Sequence, residues 1–263
     1  MLTRPSTASA RFGTDGQACL LLHGFTGTPW DLLPLAVALE QRGFSGSVPC
    51  LPGHGEDGEA MASVGADDWL RASEEALFAE FERTQRPVHV AGFSMGGLLA
   101  VGLAARWPSH VASLALLAPA ARLLGQISRA ARFLRKTPLM DWVQPYIPKD
   151  GSDIEDPAAR AIVPRPTSFP SARLRDLFWL QDFAHQHAPR VKARVLLVLA
   201  RHDHVVNARA AKGLVARIPR PDTATLLLER GFHGLARDFA GDVLAGAVGD
   251  FFRGALPSST RQE

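Results

Sequence analysis

The chain has 263 residues, 46% hydrophobic and 21% charged, a balance that supports a sizeable core and excludes a disordered chain. Its 29 basic and 26 acidic side chains nearly cancel to +3, and no basic run is interleaved with aromatics, so no nucleic-acid partner is expected. No apolar run approaches the length of a membrane span, and residues 1–10 lack the apolar core of a signal peptide, so a cytoplasmic protein is expected.

Strand signals alternate with helix signals along the chain, the pattern of a parallel sheet covered on both faces. Gln17–Leu22 reads as a first apolar strand. Thr28 is the expected N-cap of a helix with Pro29 at its first position and Asp31 in its first turn, running to about Arg42. A strand near Phe44–Val48 follows, and Asp67–Trp69 opens a long amphipathic helix ending before Pro87. The two cysteines, Cys19 and Cys50, lie beside these strands outside any metal-ligand or C-x-x-C spacing and are expected as buried free thiols. Pro87–Ala91 reads as a buried strand, Gly97–Arg106 as a helix closed by Trp107 and Pro108, and Val111–Ala118 as a further buried strand.

From about Pro119 to Arg190 the rhythm breaks: strand signals are absent, and amphipathic pieces carry Phe133, Trp142, Phe178, Trp179 and Phe183. This segment is expected to be a helical cap, with an elaborated helical crossover as the alternative. The core would then comprise residues 1–118 and 191–263, and the cap residues 119–190. Ala193–Ala200 restores the order as a strand, followed by a helix from Asn207 to Ile218, a strand Ala224–Glu229 and a helix from Asp238 to Phe252. The tail after Pro257 is expected to fray.

Gly92-Phe93-Ser94-Met95-Gly96 sits where the strand turns into the helix. G-x-S-x-G occurs by chance in many proteins, but in this setting it reads as a nucleophile elbow. A serine hydroxyl is a weak nucleophile and needs a base, and that base needs a carboxylate to fix its tautomer. Asp203 follows the strand ending at Ala200 and His233 follows the strand ending at Glu229, in the order Ser, acid, His. Rival acids are Asp222, which precedes its strand, and Asp238, which a helix N-cap would explain. His202 and His204 flank Asp203 without a third ligand nearby, so no metal site is expected; His185 and His187 read as surface residues of the cap. The developing oxyanion needs donors, and the N–H groups of Met95 and of Phe25, in His23–Gly27, are placed to supply them. His23 is expected to hold that loop through its side chain.

Leu21–Pro29, Leu51–Gly55, Gly92–Gly97 and Asp203–Val206 resemble the motifs of the bacterial monoacylglycerol lipase and carboxylesterase family, and the resemblance runs over nearly the whole chain. It implies an α/β-hydrolase fold: a mostly parallel sheet with helices on both faces and a small helical cap inserted after the sixth-strand position. It also implies a triad matching Ser94, Asp203 and His233 and an oxyanion hole matching Phe25 and Met95. Two positions depart from the family pattern. Ala200 replaces the glycine that begins the acid loop, and Ala161, just after Arg160, stands where some monoglyceride lipases carry a glutamate that recognises glycerol, which argues against glycerol specificity.

The expected activity is serine carboxylic-ester hydrolysis of lipophilic acyl esters through an acyl-enzyme, with cap residues binding the acyl chain and with no cofactor or metal. Thioesterase, amidase, acyltransferase and perhydrolase chemistry share the triad. A non-catalytic binding protein on this fold would be expected to have lost a triad member. Epoxide hydrolases and dehalogenases use Asp where this chain has Ser94.

Overall fold

A computed structural model describes residues 7–55, 58–125, 145–149, 151–164, 166–219 and 222–255. Its strands are β1 (Ala10–Phe12), β2 (Gln17–Leu22), β3 (Phe44–Val48), β4 (Val88–Phe93), β5 (Val111–Leu117), β6 (Tyr146–Pro148), β7 (Ser168–Pro170), β8 (Arg194–Ala200) and β9 (Thr223–Leu228). Seven form one sheet in the order β1-β3-β2-β4-β5-β8-β9, parallel except where β1 pairs antiparallel with β3. The central strands are near-continuous apolar runs because helices cover both of their faces. The helix Met95–Arg106, for example, buries Leu98, Leu99, Val101 and Leu103 completely. Each such side chain contributes about 1.5–3 kcal/mol relative to exposure.

The register decides where the loops emerge. Leu22 lies opposite Gly92, Gly92 opposite Leu116, and Ala200 opposite Leu228. The loops after β2, β4, β8 and β9 therefore leave the sheet at its carboxyl edge, where open α/β sheets bind ligands. This is the α/β-hydrolase fold. The 119–190 segment, expected after the sixth-strand position, follows β5, which is fifth in chain order among the described strands.

Several local expectations need correction. The helix after Thr28 begins as a 3-10 turn, Pro29–Leu32, and becomes α-helical over Leu33–Glu40. Thr28 does not cap it with its hydroxyl, which has no partner among the described residues; instead Asp31 Oδ2 accepts the Thr28 N–H at 3.1 Å. The final helix runs from Gly241 to Phe252, so Asp238 lies outside it. Cys19 is a buried free thiol as expected, whereas Cys50 is only half-buried. Strand β1 escaped the sequence reading because three residues carry no periodicity. It is held by Arg11, which donates to the fully buried Glu80 at 3.0 Å, and Glu80 also accepts from Arg83 at 2.7 Å. Unpaired, such a carboxylate would be costly to bury.

The segment between β5 and β8 contains two strands that its sequence did not signal, β6 and β7, an antiparallel pair of three residues each with a proline at one end. The helix Pro157–Ala161 follows Asp156, whose Oδ1 accepts the Ala158 N–H at 2.8 Å. The longer helix Ser171–His187 rests on the elbow helix: a Cβ on Gly102 would stand 2.9 Å from the Phe183 ring. Gln181 fastens it further by donating to the Ala120 carbonyl at 2.8 Å. Phe133, Trp142 and the tail after Pro257 lie outside the described residues.

Candidate active site

Ser94 stands between the end of β4 and the start of its helix with φ +54°, a conformation that costs a non-glycine residue about 1–3 kcal/mol. Its surroundings force it there. The Ser94 N–H donates to the Leu117 carbonyl at 2.9 Å, and its own carbonyl accepts from Gly97 and Ala120 at 3.1 and 3.0 Å. Only glycine fits at the flanking positions: a Cβ on Gly92 would lie 2.2 Å from the Gly96 carbonyl oxygen, and one on Gly96 would lie 2.1 Å from that of Leu22. The hydroxyl is thereby held above the carboxyl edge of the sheet.

There it meets the loops after β8 and β9. Ser94 Oγ lies 3.1 Å from His233 Nε2, and His233 Nδ1 lies 2.8 Å from Asp203 Oδ2. Because a carboxylate can only accept, Nδ1 carries the proton and Nε2 is left to accept from the serine hydroxyl. The imidazole also leans on the Phe93 ring, centroids 4.9 Å apart. The other Asp203 oxygen accepts the Val205 and Val206 N–H groups, both at 2.8 Å. Burial pushes the Asp203 carboxyl up, but the His233 hydrogen bond and charge and the two N–H groups outweigh it and hold the carboxyl below its ordinary value. Asp203 is therefore ionised at neutral pH.

The loop after β2 closes the site from the other side. His23 Nδ1 donates to the Gly24 carbonyl at 2.9 Å, and Nε2 accepts the Leu51 N–H at 3.0 Å. Complete burial lowers the His23 pKa, so the ring stays neutral and does the bracing expected of it. Gly24 passes so close that a Cβ would lie 3.1 Å from Ser94 Cβ. Among the described residues, neither the Phe25 nor the Met95 N–H donates to a protein acceptor. The Phe25 ring is fixed edge-on against Phe169 and Trp69, with centroids 5.0 and 5.9 Å away. Beside it, burial pushes His54 down to about 3.

Ser94 and His233 open onto a cleft of about 250 Å³. Its apolar wall is Phe25, Phe93, Leu123, Phe169, Leu174, Leu177 and Val205, with Thr26, Asp31, Lys149 and Asp153 as its side-chain polar groups. Leu123, Lys149, Asp153, Phe169, Leu174 and Leu177 all come from the 119–190 segment. Ala161 is exposed at the end of its short helix and does not line the cleft.

The rival residues lie elsewhere. Asp222 is exposed ahead of β9. Asp238 is buried but accepts the N–H groups of Glu155, Asp156, Phe232 and Phe239, which makes it a loop fastener and not the expected helix cap. Among the described residues no group of three metal-ligating side chains occurs, His202 and His204 included. His187 stacks on Phe183, and its Nδ1 donates to the Phe183 carbonyl at 2.8 Å. Sequence reasoning missed Lys149 and Asp153. Neither stands in a motif, and both reach the site across more than a hundred or about eighty residues of chain, to Thr26 and to His233.

A family model described as serine aminopeptidase, S33, matches residues 14–239. A thermostable monoacylglycerol lipase of Bacillus sp. (strain H-257) is 28% identical over 228 residues, covering 84% of each chain. A carboxylesterase of Bacillus subtilis (strain 168) is 23% identical over 245 residues, covering 91% of this chain and 94% of its own. Among solved structures, one from a study of LipS and LipT, two metagenome-derived lipolytic enzymes, superposes with a TM-score of 0.86 at 26% identity, covering 95% of this chain and 99% of that one.

Proposed function

The chain belongs to the family described as serine aminopeptidase, S33, and is an α/β-hydrolase of the lipase and esterase class; on that premise we propose that it hydrolyses carboxylic esters of lipophilic acyl groups through Ser94, His233 and Asp203. One observation carries the reading: the unbroken hydrogen-bonded chain from Ser94 Oγ through the imidazole to an ionised Asp203, facing an apolar cleft.

In this mechanism Ser94 Oγ attacks the ester carbonyl while its proton passes to His233 Nε2. Asp203 stabilises the imidazolium and keeps the proton on Nδ1 in place. The carbonyl oxygen becomes an oxyanion, received by the free N–H groups of Phe25 and Met95. Loss of one such donor typically costs about 3–4 kcal/mol of barrier. His233 then gives its proton to the leaving alcohol, and an acyl-Ser94 ester remains. Water attacks that ester with His233 again as base, which releases the acid and restores the serine.

The 119–190 segment serves as the cap in this proposal, since much of the apolar wall comes from it. Each acyl methylene buried there contributes about 0.8 kcal/mol, which favours chains long enough to fill the cleft. Alanine at 161 bears no carboxylate and lies outside the cleft, so nothing from that position holds a glycerol group, and simple alkyl esters and monoacylglycerols of equal chain length should be turned over comparably. No helix among the described residues is long and apolar enough to cross a membrane; the substrate would reach the cleft from solution or from a lipid surface.

Ser94→Ala should leave the fold intact and abolish hydrolysis of p-nitrophenyl esters; retained activity in a clean preparation would refute the assignment. A kcat/KM profile over acyl length and alcohol group, with monoacylglycerols included, tests the substrate class. A sharp preference for monoacylglycerols would overturn the reading of Ala161.

A further inference from the structure

The segment between β6 and β7 reaches back to both loops that carry the acid and the base, and it does so through Asp153. Asp153 Oδ2 accepts the His233 N–H at 3.1 Å and the His204 N–H at 3.0 Å, while Oδ1 lies 2.8 Å from His204 Nδ1. The Asp153 carbonyl accepts the Gly234 N–H at 2.9 Å. One residue thus ties the loop after β8, which holds Asp203, to the loop after β9, which holds His233. Glu155 and Asp238 extend the fastening from behind: Glu155 accepts the Gly231 N–H at 2.7 Å, and Asp238 accepts those of Phe232 and Glu155 at 2.8 and 2.7 Å. Asp153 differs from these two because its side chain also lines the cleft with Ser94 and His233.

We infer that Asp153 is a positioning residue for the acid–base pair: it sets the register of His233 against Asp203 and Ser94, and its charge favours the imidazolium that forms during turnover. The inference rests on the proposed roles of Ser94, His233 and Asp203. Asp153 makes no hydrogen bond to the imidazole ring, so it acts through the main chain and through space. A carboxylate that accepts several N–H groups at once is a stiff junction, because shifting it lengthens every bond together. Proton transfer between Ser94 and His233 is sensitive to such shifts; a displacement of 1 Å can cost about a hundredfold in rate.

The charges around the imidazole come from four sides. Asp203 contacts Nδ1 from the loop after β8. Asp31, after β2, and Lys149, on the same segment as Asp153, line the cleft. Glu155 and Asp238 lie behind the loop on backbone N–H groups, and His204 shares the Asp153 carboxylate. Removing the charge of Asp153 takes away a nearby anion, which makes the imidazolium easier to deprotonate.

The test uses Asp153→Asn and Asp153→Glu in the full chain, with kcat and KM for p-nitrophenyl butyrate measured from about pH 5 to 9. The Asn variant should lose about tenfold or more in kcat with KM changed by less than about threefold, and the acid limb of kcat/KM should move to lower pH. The Glu variant keeps the charge but displaces it by one methylene, so kcat should fall while the acid limb stays in place. A purely structural role would lower the melting temperature without moving that limb. Wild-type kcat in the Glu variant overturns the inference, as does an unmoved acid limb in a folded Asn variant; should the Asn variant not fold, the Glu variant decides alone. Ser94→Ala is run alongside: an active Ser94→Ala chain refutes the Ser94 assignment itself, whereas an inactive one with unaffected Asp153 variants refutes only the role of Asp153.

Discussion

Replacing Asp203 by Asn should be at least as damaging as deleting its carboxylate, and the hydrogen bonds say why. Both the Val205 and Val206 N–H groups point at Oδ1, each 2.8 Å away, while Oδ2 faces His233 Nδ1. An asparagine has one acceptor oxygen and one NH₂ group. Turning the NH₂ toward the two backbone donors would forfeit two hydrogen bonds, at about 1–3 kcal/mol each. The amide oxygen therefore takes the Oδ1 place and the NH₂ faces Nδ1. To accept from it, Nδ1 must lose its proton, which moves to Nε2, 3.1 Å from Ser94 Oγ. In that tautomer the ring cannot take the serine proton. The comparable change in a serine protease triad lowers kcat about 10⁴-fold, roughly 5.4 kcal/mol of barrier, and a similar loss is expected here. Asp203→Ala leaves the tautomer free, so the Asn variant should be no faster than the Ala variant. The assay is kcat on p-nitrophenyl butyrate per folded active site. KM should move little, because Asp203 is not part of the cleft wall. An Asn variant faster than Ala, or one retaining more than about a tenth of wild-type kcat, would refute the tautomer argument.

Two further outcomes are expected. Burial, helped by the Arg194 charge, pushes His89 down to about 4 from 6.5. The unfolded chain then binds a proton that the folded chain refuses, so stability present above pH 6.5 is lost as pH falls toward 4, by up to about 3 kcal/mol. His54, pushed by burial to about 3, acts in the same direction. Melting temperatures at neutral and mildly acid pH should therefore differ less for His89→Gln than for wild type; equal differences would show that His89 does not carry this loss. Gly24→Ala would place a Cβ 3.1 Å from Ser94 Cβ and 3.2 Å from the Phe93 ring. It should depress kcat by about tenfold or more, since the clash falls on Ser94 itself, and should lower the melting temperature as well to the extent that the buried Phe93 ring must give way. Wild-type kcat would mean that the loop after β2 has slack that its hydrogen bonds do not suggest.

The parts of this molecule that could be read from sequence are those whose cause is local. β2, β4, β5, β8 and the apolar end of β9 announce themselves as apolar runs, and Ser94, Asp203 and His233 follow β4, β8 and β9, so the sheet brings together what the chain order predicts. Where the cause is non-local, the reading failed. Asp238 has the residue type and spacing of a helix cap, yet four N–H groups from two loops engage its carboxylate and the helix starts without it. β1 pairs with β3, and its Arg11 is anchored by Glu80, some seventy residues away. β6 and β7 are too short to show alternation, and each exists only because the other is beside it. Asp153 belongs to this second kind, and it gives the 119–190 segment two roles at once. Leu123, Phe169, Leu174 and Leu177 shape the cleft, while Asp153 and Glu155 of the same segment hold the His233 loop. Exchanging the whole segment for that of another family member would therefore change specificity and turnover together. An exchange that keeps residues 153–156 and replaces only the apolar wall should change specificity alone.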